Sequence, residues 1–144
     1  MQSPIYVGCD DSGFEAKQTV LRVLKELDLP FVDCGSGEEP ARYPWYAAKV
    51  ASAVSEGTAA FGILICGSGI GMSIAANKLP GVRAAAVSDV YGARLTRRHN
   101  DANILAMGAR VVGEGLALMI ADTFLDTPFS NDERHKRRIS MIEG

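Results

Sequence analysis

The chain has 144 residues, of which 47% are hydrophobic and 22% charged, and carries a formal net charge of −2. Such a length fits one domain that buries roughly two thirds of the surface its unfolded chain exposes, and the balance of apolar and charged residues excludes a disordered or low-complexity chain. No apolar run approaches the ~20 residues a bilayer requires, residues Met1 to Cys9 lack a signal-peptide pattern, and three cysteines without a CxxC pair suit neither a disulfide framework nor zinc. The expectation is one cytoplasmic domain over residues 1–144, with a basic C-terminal tail over about 129–144, no metal and no membrane contact.

The two signs of charge are unevenly placed. Nine of seventeen acids fall in residues 1–56 and eight of fifteen bases in residues 94–138, so a small anionic ligand would find its counter-charge in the second half. Nucleic acid is excluded as a partner, because the pI is near 5.7 and the basic cluster has no interleaved aromatic side chains for base stacking.

Taken in chain order, Ile5 to Cys9 reads as a strand ended by Asp10-Asp11-Ser12-Gly13. Phe14, Leu21, Leu24 and Leu27 then recur at helical spacing until Pro30 stops them. Phe31 to Cys34 is a second strand, and residues 35–40 form a loop by composition. A helix follows from about Pro44, with Ala47, Val50, Ala51 and Val54 on one face. Phe61 to Cys66 is a third strand, apolar on both faces, running into Gly67-Ser68-Gly69-Ile70-Gly71 and a helix over Met72 to Lys78. Arg83 to Ser88 gives a fourth strand, Asp89 to Arg98 a helix capped by Asp89, Asn103 to Met107 a fifth strand and Gly113 to Leu125 another helix.

Strand and helix alternating in this way predict an α/β fold, a Rossmann-like three-layer sandwich around a five-stranded parallel sheet. Ligands of such sheets bind beyond the carboxyl ends of the strands. Chemistry is therefore expected at Asp10-Asp11, Cys34, Cys66 to Gly71, Ser88-Asp89 and Gly108 to Arg110.

Gly67, Gly69 and Gly71 let backbone come close to a ligand, at a helix start whose N–H groups favour negative charge. The spacing G-x-G-x-G is not the dinucleotide fingerprint, and no phosphate-loop string with its lysine occurs, which counts against nicotinamide and nucleotide triphosphates and disfavours a flavodoxin-like nucleotide-binding module. A thiol phosphatase would carry an arginine where this chain has Met72.

Gly8-Cys9-Asp10, Tyr43-Pro44, the string Ile63 to Lys78 (ILICGSGIGMSIAANK) and His99-Asn100-Asp101-Ala102-Asn103 together resemble ribose-5-phosphate isomerase type B and its relatives that isomerise galactose 6-phosphate and other sugar phosphates. The resemblance runs from Ile5 to Arg138. It implies aldose–ketose isomerisation of a sugar phosphate through a cis-enediolate, without metal or cofactor, by a homodimer or tetramer whose sites lie between subunits. It assigns Cys66 as the base, Ser68 to the place of the family's usual threonine, and His99 to ring opening. Asp10 and Tyr43 would contact the substrate, Asn100 and the backbone amides of the stretch Gly67, Gly69, Ile70 and Gly71 would stabilise the enediolate, and Arg134 and Arg138 would bind the phosphate, with Arg110 a further phosphate contact. The residue types suit the reaction, which needs a base over the C1–C2 edge, donors for a developing oxyanion and an acid for ring opening. The start of a helix is also where thiolates are favoured.

One position departs from the family. Where it commonly has Asp-His after the first strand, with the histidine near the phosphate, this chain has Asp10-Asp11. A carboxylate facing a phosphate is unfavourable, so ribose 5-phosphate competes as substrate with a tetrose (erythrulose) phosphate, allose 6-phosphate and galactose 6-phosphate. Arg42 and Arg137 are available as compensating charges. A non-catalytic sugar-phosphate-binding paralogue is the alternative from outside enzymology, and retention of Cys66 and His99 speaks against it.

Overall fold

Alternation with period two along the strands decides which side chains face which layer. In the computed structural model, which describes residues 3–35 and 43–144, the order is β1 (Ile5–Cys9), a short 3-10 turn (Asp11–Gly13), α1 (Phe14–Glu26), β2 (Phe31–Asp33), α2 (Tyr43–Ser55), β3 (Phe61–Cys66), α3 (Ile70–Ala76), β4 (Ala84–Ala86), α4 (Val90–Asn100), β5 (Ile104–Gly108), α5 (Glu114–Asp126) and α6 (Glu133–Glu143). Apart from Gly35, the expected loop at 35–40 lies outside the described residues, as does Arg42.

All strand pairings are parallel and the sheet order is β2-β1-β3-β5-β4. Ile5, Val7 and Cys9 of β1, Ile63 and Ile65 of β3, and Leu105 and Met107 of β5 face a core shared with Val20, Leu24, Ala93, Ile120 and Phe124 of α1, α4 and α5. Leu64, Cys66, Ile104 and Ala106 point the other way, against Tyr46, Val50 and Ala51 of α2 and Met72 and Ala76 of α3. This is the expected three-layer α/β sandwich. Ile63, Leu64, Ile65, Ile104 and Leu105 are at most 1% exposed, and each such side chain contributes roughly 1.5–3 kcal/mol by leaving water.

Several boundaries differ from the sequence reading, and three of them have a clear local reason. α3 begins at Ile70 rather than Met72, because Gly69 at φ 80° turns the chain straight from β3 into the helix. β4 is limited to Ala84–Ala86, since the Arg83 N–H leaves the ladder to donate to the Asn103 side chain at 2.8 Å. The segment read as a basic tail folds, over Glu133–Glu143, as α6, capped by the Asp132 carboxylate accepting from the Arg134 N–H at 3.1 Å.

α4 sets the distance that matters below. Its N-cap Asp89, whose side chain accepts from the Gly92 N–H, follows the carboxyl end of β4. Its last residue, Asn100, meets Arg83 just before the same strand, where Arg83 Nε donates to the Asn100 carbonyl at 3.0 Å. The helix thus runs antiparallel to the sheet and reaches from one end of it to the other.

Candidate active site

The strand order reverses direction between β1 and β3, and the carboxyl ends of these neighbours form the crevice in which ligands of open α/β sheets are held. Cys9 pairs with Ile65 across that seam, and the Asp10 N–H donates to the Ile65 carbonyl at 3.2 Å, so Asp10 and Cys66 leave their strands side by side. Cys66 is 6% exposed, and its sulfur accepts the Gly69 N–H at 3.1 Å. That bond exists because Gly69 adopts a left-handed conformation, and a Cβ there would fall 2.8 Å from the Met107 backbone. The Ser68 hydroxyl accepts the Ile70 N–H at 3.2 Å.

Other predicted residues gather around this loop. The Asp10 carboxylate accepts from Ser12 Oγ at 2.6 Å and from the Gly13 N–H at 3.2 Å, which fixes its direction, while Asp11 stands exposed in the first turn beside it. Tyr43, 42% exposed, lays its ring over Gly71, where a Cβ would come within 2.7 Å of it. Arg110 enters from the end of β5. Its N–H donates to the Gly67 carbonyl at 3.1 Å, and its side chain lies 3.7 Å from where a Gly67 side chain would begin, as does Ser12 Oγ. The structure therefore brings together Asp10, Asp11, Tyr43, Cys66, Gly67, Ser68, Gly69, Ile70, Gly71 and Arg110.

It does not bring His99, Asn100, Arg134 or Arg138 to them. These four lie at the amino ends of the strands, where α4 finishes and α6 packs across it. The end of α4 is built on Arg97, 6% exposed, whose guanidinium lies over Phe61 at 4.8 Å and bonds the Ala102 carbonyl at 2.6 Å and the Asp101 carboxylate at 2.9 Å. Phe61 opens β3 and Cys66 closes it, a separation of roughly 17 Å at the rise of a parallel strand. The nearby groove of ≈ 590 Å³ lined by Asn77, Arg83, Asn100 and Ile142 belongs to this second end and is remote from the thiol.

Two residues with a part in these arrangements carried no assignment from sequence. His135, on α6, is 5% exposed and stacks on His99 with ring centroids 4.3 Å apart. Lys17, fully buried on α1, reaches the Asp33 carboxylate at 2.7 Å and the Gly35 carbonyl, tying down the end of β2. Lys17 had a signal, since it interrupts the apolar stripe of Phe14, Leu21 and Leu24; His135 was hidden in a charge run. Among the described residues no three His, Cys, Asp or Glu side chains converge as metal ligands, and no helix is long and apolar enough to cross a membrane.

Known proteins share this chain's sequence and fold. The ribose-5-P isomerase B of Listeria innocua is 47% identical over 140 residues, covering 96% of this chain and 94% of the relative. The ribose-5-phosphate isomerase B of Escherichia coli is 46% identical over 139 residues, covering 96% and 93%. Among solved structures, ribose-5-phosphate isomerase B of Clostridium thermocellum superposes with a TM-score of 0.93 at 46% identity, covering 97% of this chain and 95% of that one. The type B enzyme of Trypanosoma cruzi gives 0.92 at 44% identity, covering 99% and 95%. Residues 5–142 match the family model described as Ribose/Galactose Isomerase, and with these relatives that match shows that the chain belongs to the ribose/galactose isomerase family.

Proposed function

We propose that this aldose–ketose isomerase acts on a sugar phosphate of the ribose 5-phosphate/ribulose 5-phosphate type, with Cys66 as the base. The observation that carries the reading is the thiol at the switch point of the sheet, held by the Gly69 N–H inside a glycine loop. Cys66 takes the proton from C2 of the open-chain aldose and returns it to C1. The hydrogen on O2 passes to O1, and Ser68, whose hydroxyl is held by Ile70, is placed to relay it. Backbone donors of the Gly67–Gly71 loop face the enediolate oxygens between the two transfers. Asp10 and Tyr43 hold sugar hydroxyls.

The phosphate is assigned to Arg134 and Arg138, ring opening to His99, and a share in stabilising the enediolate to Asn100. In ring opening, His99 gives a proton to the ring oxygen as the bond from C1 to that oxygen breaks, and the O1 hydroxyl proton passes to water as the carbonyl forms. These groups lie about a strand's length from Cys66 in their own chain, which supports a site completed by a second copy. Exposed apolar side chains on α3, α5 and α6, namely Ile70, Ile74, Leu116, Met119, Met141 and Ile142, supply the surface such a pairing would cover. We take the working unit to be a homodimer or a pair of dimers.

The test is turnover of ribose, allose, galactose and erythrulose phosphates by the wild type and Cys66→Ala, each with and without EDTA. Turnover that survives chelation and falls by at least ~10³-fold in the variant supports the cysteine base. Undiminished turnover in Cys66→Ala would sink it, and no turnover by the wild type on any of them would favour a non-catalytic sugar-phosphate-binding paralogue.

A further inference from the structure

His99 is held by a residue outside the set just assigned. The His135 ring lies against it with centroids 4.3 Å apart and planes inclined by 32°. His135 is itself immobilised: it is 5% exposed, and its Nδ1 shares a 2.8 Å hydrogen bond with Ser130 Oγ. That hydroxyl also accepts the Asp132 N–H at 3.2 Å, which leaves its own hydrogen for Nδ1 and suits a neutral ring. The Ser130 N–H donates to the Arg98 carbonyl at 3.2 Å, one residue before His99. Contacts therefore form a closed circuit from the last turn of α4, through Ser130 and the first turn of α6, back to the His99 ring.

Charge around the circuit disfavours the protonated form of His135. Burial first, then His99, Arg134 and Arg138, push His135 below its ordinary range, and only Asp132 opposes them. Two imidazoles in contact also resist carrying charge together. Burial and its cationic neighbours thus disfavour a proton on His135.

We infer that His135 is a positioning residue for ring opening, a Ser130-anchored platform that sets the plane in which His99 meets the sugar's ring oxygen. The inference rests on the assignment of ring opening to His99. It predicts a selective defect, because a pentose 5-phosphate closes into a furanose whereas a tetrose 4-phosphate, whose O4 carries the phosphate, does not.

The experiment measures kcat and KM for ribose 5-phosphate and erythrulose 4-phosphate with the wild type, His99→Ala, His135→Ala, His135→Phe and Ser130→Ala. His135→Ala and Ser130→Ala should lower kcat on the pentose by about tenfold, a fraction of the ~10²–10⁴ that a positioned acid contributes, with KM and tetrose turnover within about twofold. His135→Phe, which keeps a flat ring, should recover most of the loss. Equal losses on both sugars, or a loss confined to KM, would overturn the inference. If His99→Ala shows no preference between the sugars, the ring-opening reading itself fails, and the positioning role falls with it. A second readout is independent of turnover, because the chain has two histidines and their imidazole resonances are separately visible. His99 resonances should move in His135→Ala and stay near their wild-type positions in His135→Phe; unmoved resonances in His135→Ala would also sink the proposal.

Discussion

Asp11 stands exposed in the turn that follows β1, beside an Asp10 whose carboxylate is held by Ser12 and Gly13. If that exposed carboxylate faces the substrate phosphate, Asp11→His should raise kcat/KM on ribose 5-phosphate by about tenfold, equivalent to ~1.4 kcal/mol of transition-state binding. Steady-state kinetics on a panel of sugar phosphates decides the matter, and unchanged values throughout would remove Asp11 from specificity. His135 makes a prediction of another kind. Its folded-state pKa lies below the ordinary 6.5, from burial first and then from His99 and the neighbouring arginines, so the unfolded chain binds this proton more readily. Stability is then fully present above 6.5 and falls as pH drops below it. Urea midpoints followed from neutrality into mild acid should decline less steeply in His135→Phe than in the wild type.

Among the elements, the most exacting contact is the one between α1 and β2. Asp33→Ala would strip the buried Lys17 ammonium of its carboxylate partner, leaving among the described residues the Gly35 carbonyl and the face of Phe14, whereas Lys17→Met would leave a carboxylate that water can reach, since Asp33 is 39% exposed. Asp33→Ala should be the more destabilising, by about 2 kcal/mol, below the ~3–5 typical of a fully buried pair because solvent screens this one. Urea unfolding at constant slope would show it. The same contact explains what the sequence conceals. The strand Phe61–Cys66 is legible as a short run apolar on both faces, and the helix Phe14–Glu26 because its apolar side chains keep helical spacing. α6 is not, because Arg134 to Arg138 reads as a solvated run, and its order comes from the Asp132 cap, the burial of His135 and the 2.6 Å pairing of Glu143 with Arg83. The glycine loop and its thiol were readable from residue types and spacing, but Lys17 and His135 have roles that only their distant partners define.

At the scale of the whole molecule, the division of the assigned groups between the two ends of the sheet required topology, because chain order gives no sign that His99 lies a strand's length from Cys66. A homodimer with shared sites makes a sharp prediction for coexpressed Cys66→Ala and His99→Ala chains. Half of the pairs are mixed, and each mixed pair holds one site with both residues intact, so activity on ribose 5-phosphate should reach about a quarter of wild type although Cys66→Ala alone has none. Activity no greater than the sum of the separate variants would place both residues of each site in one chain. The span of α4 from Asp89 to Asn100 has a last consequence, for how this chain can change over generations. A residue gained within the helix would turn everything after it by ~100° and advance it by ~1.5 Å. His99 would swing off its neighbour while the cap stayed in place. Substitutions along the outer face of α4 are therefore open to drift, whereas its length is not, and lineages descended from this chain should vary in spelling there long before they vary in count.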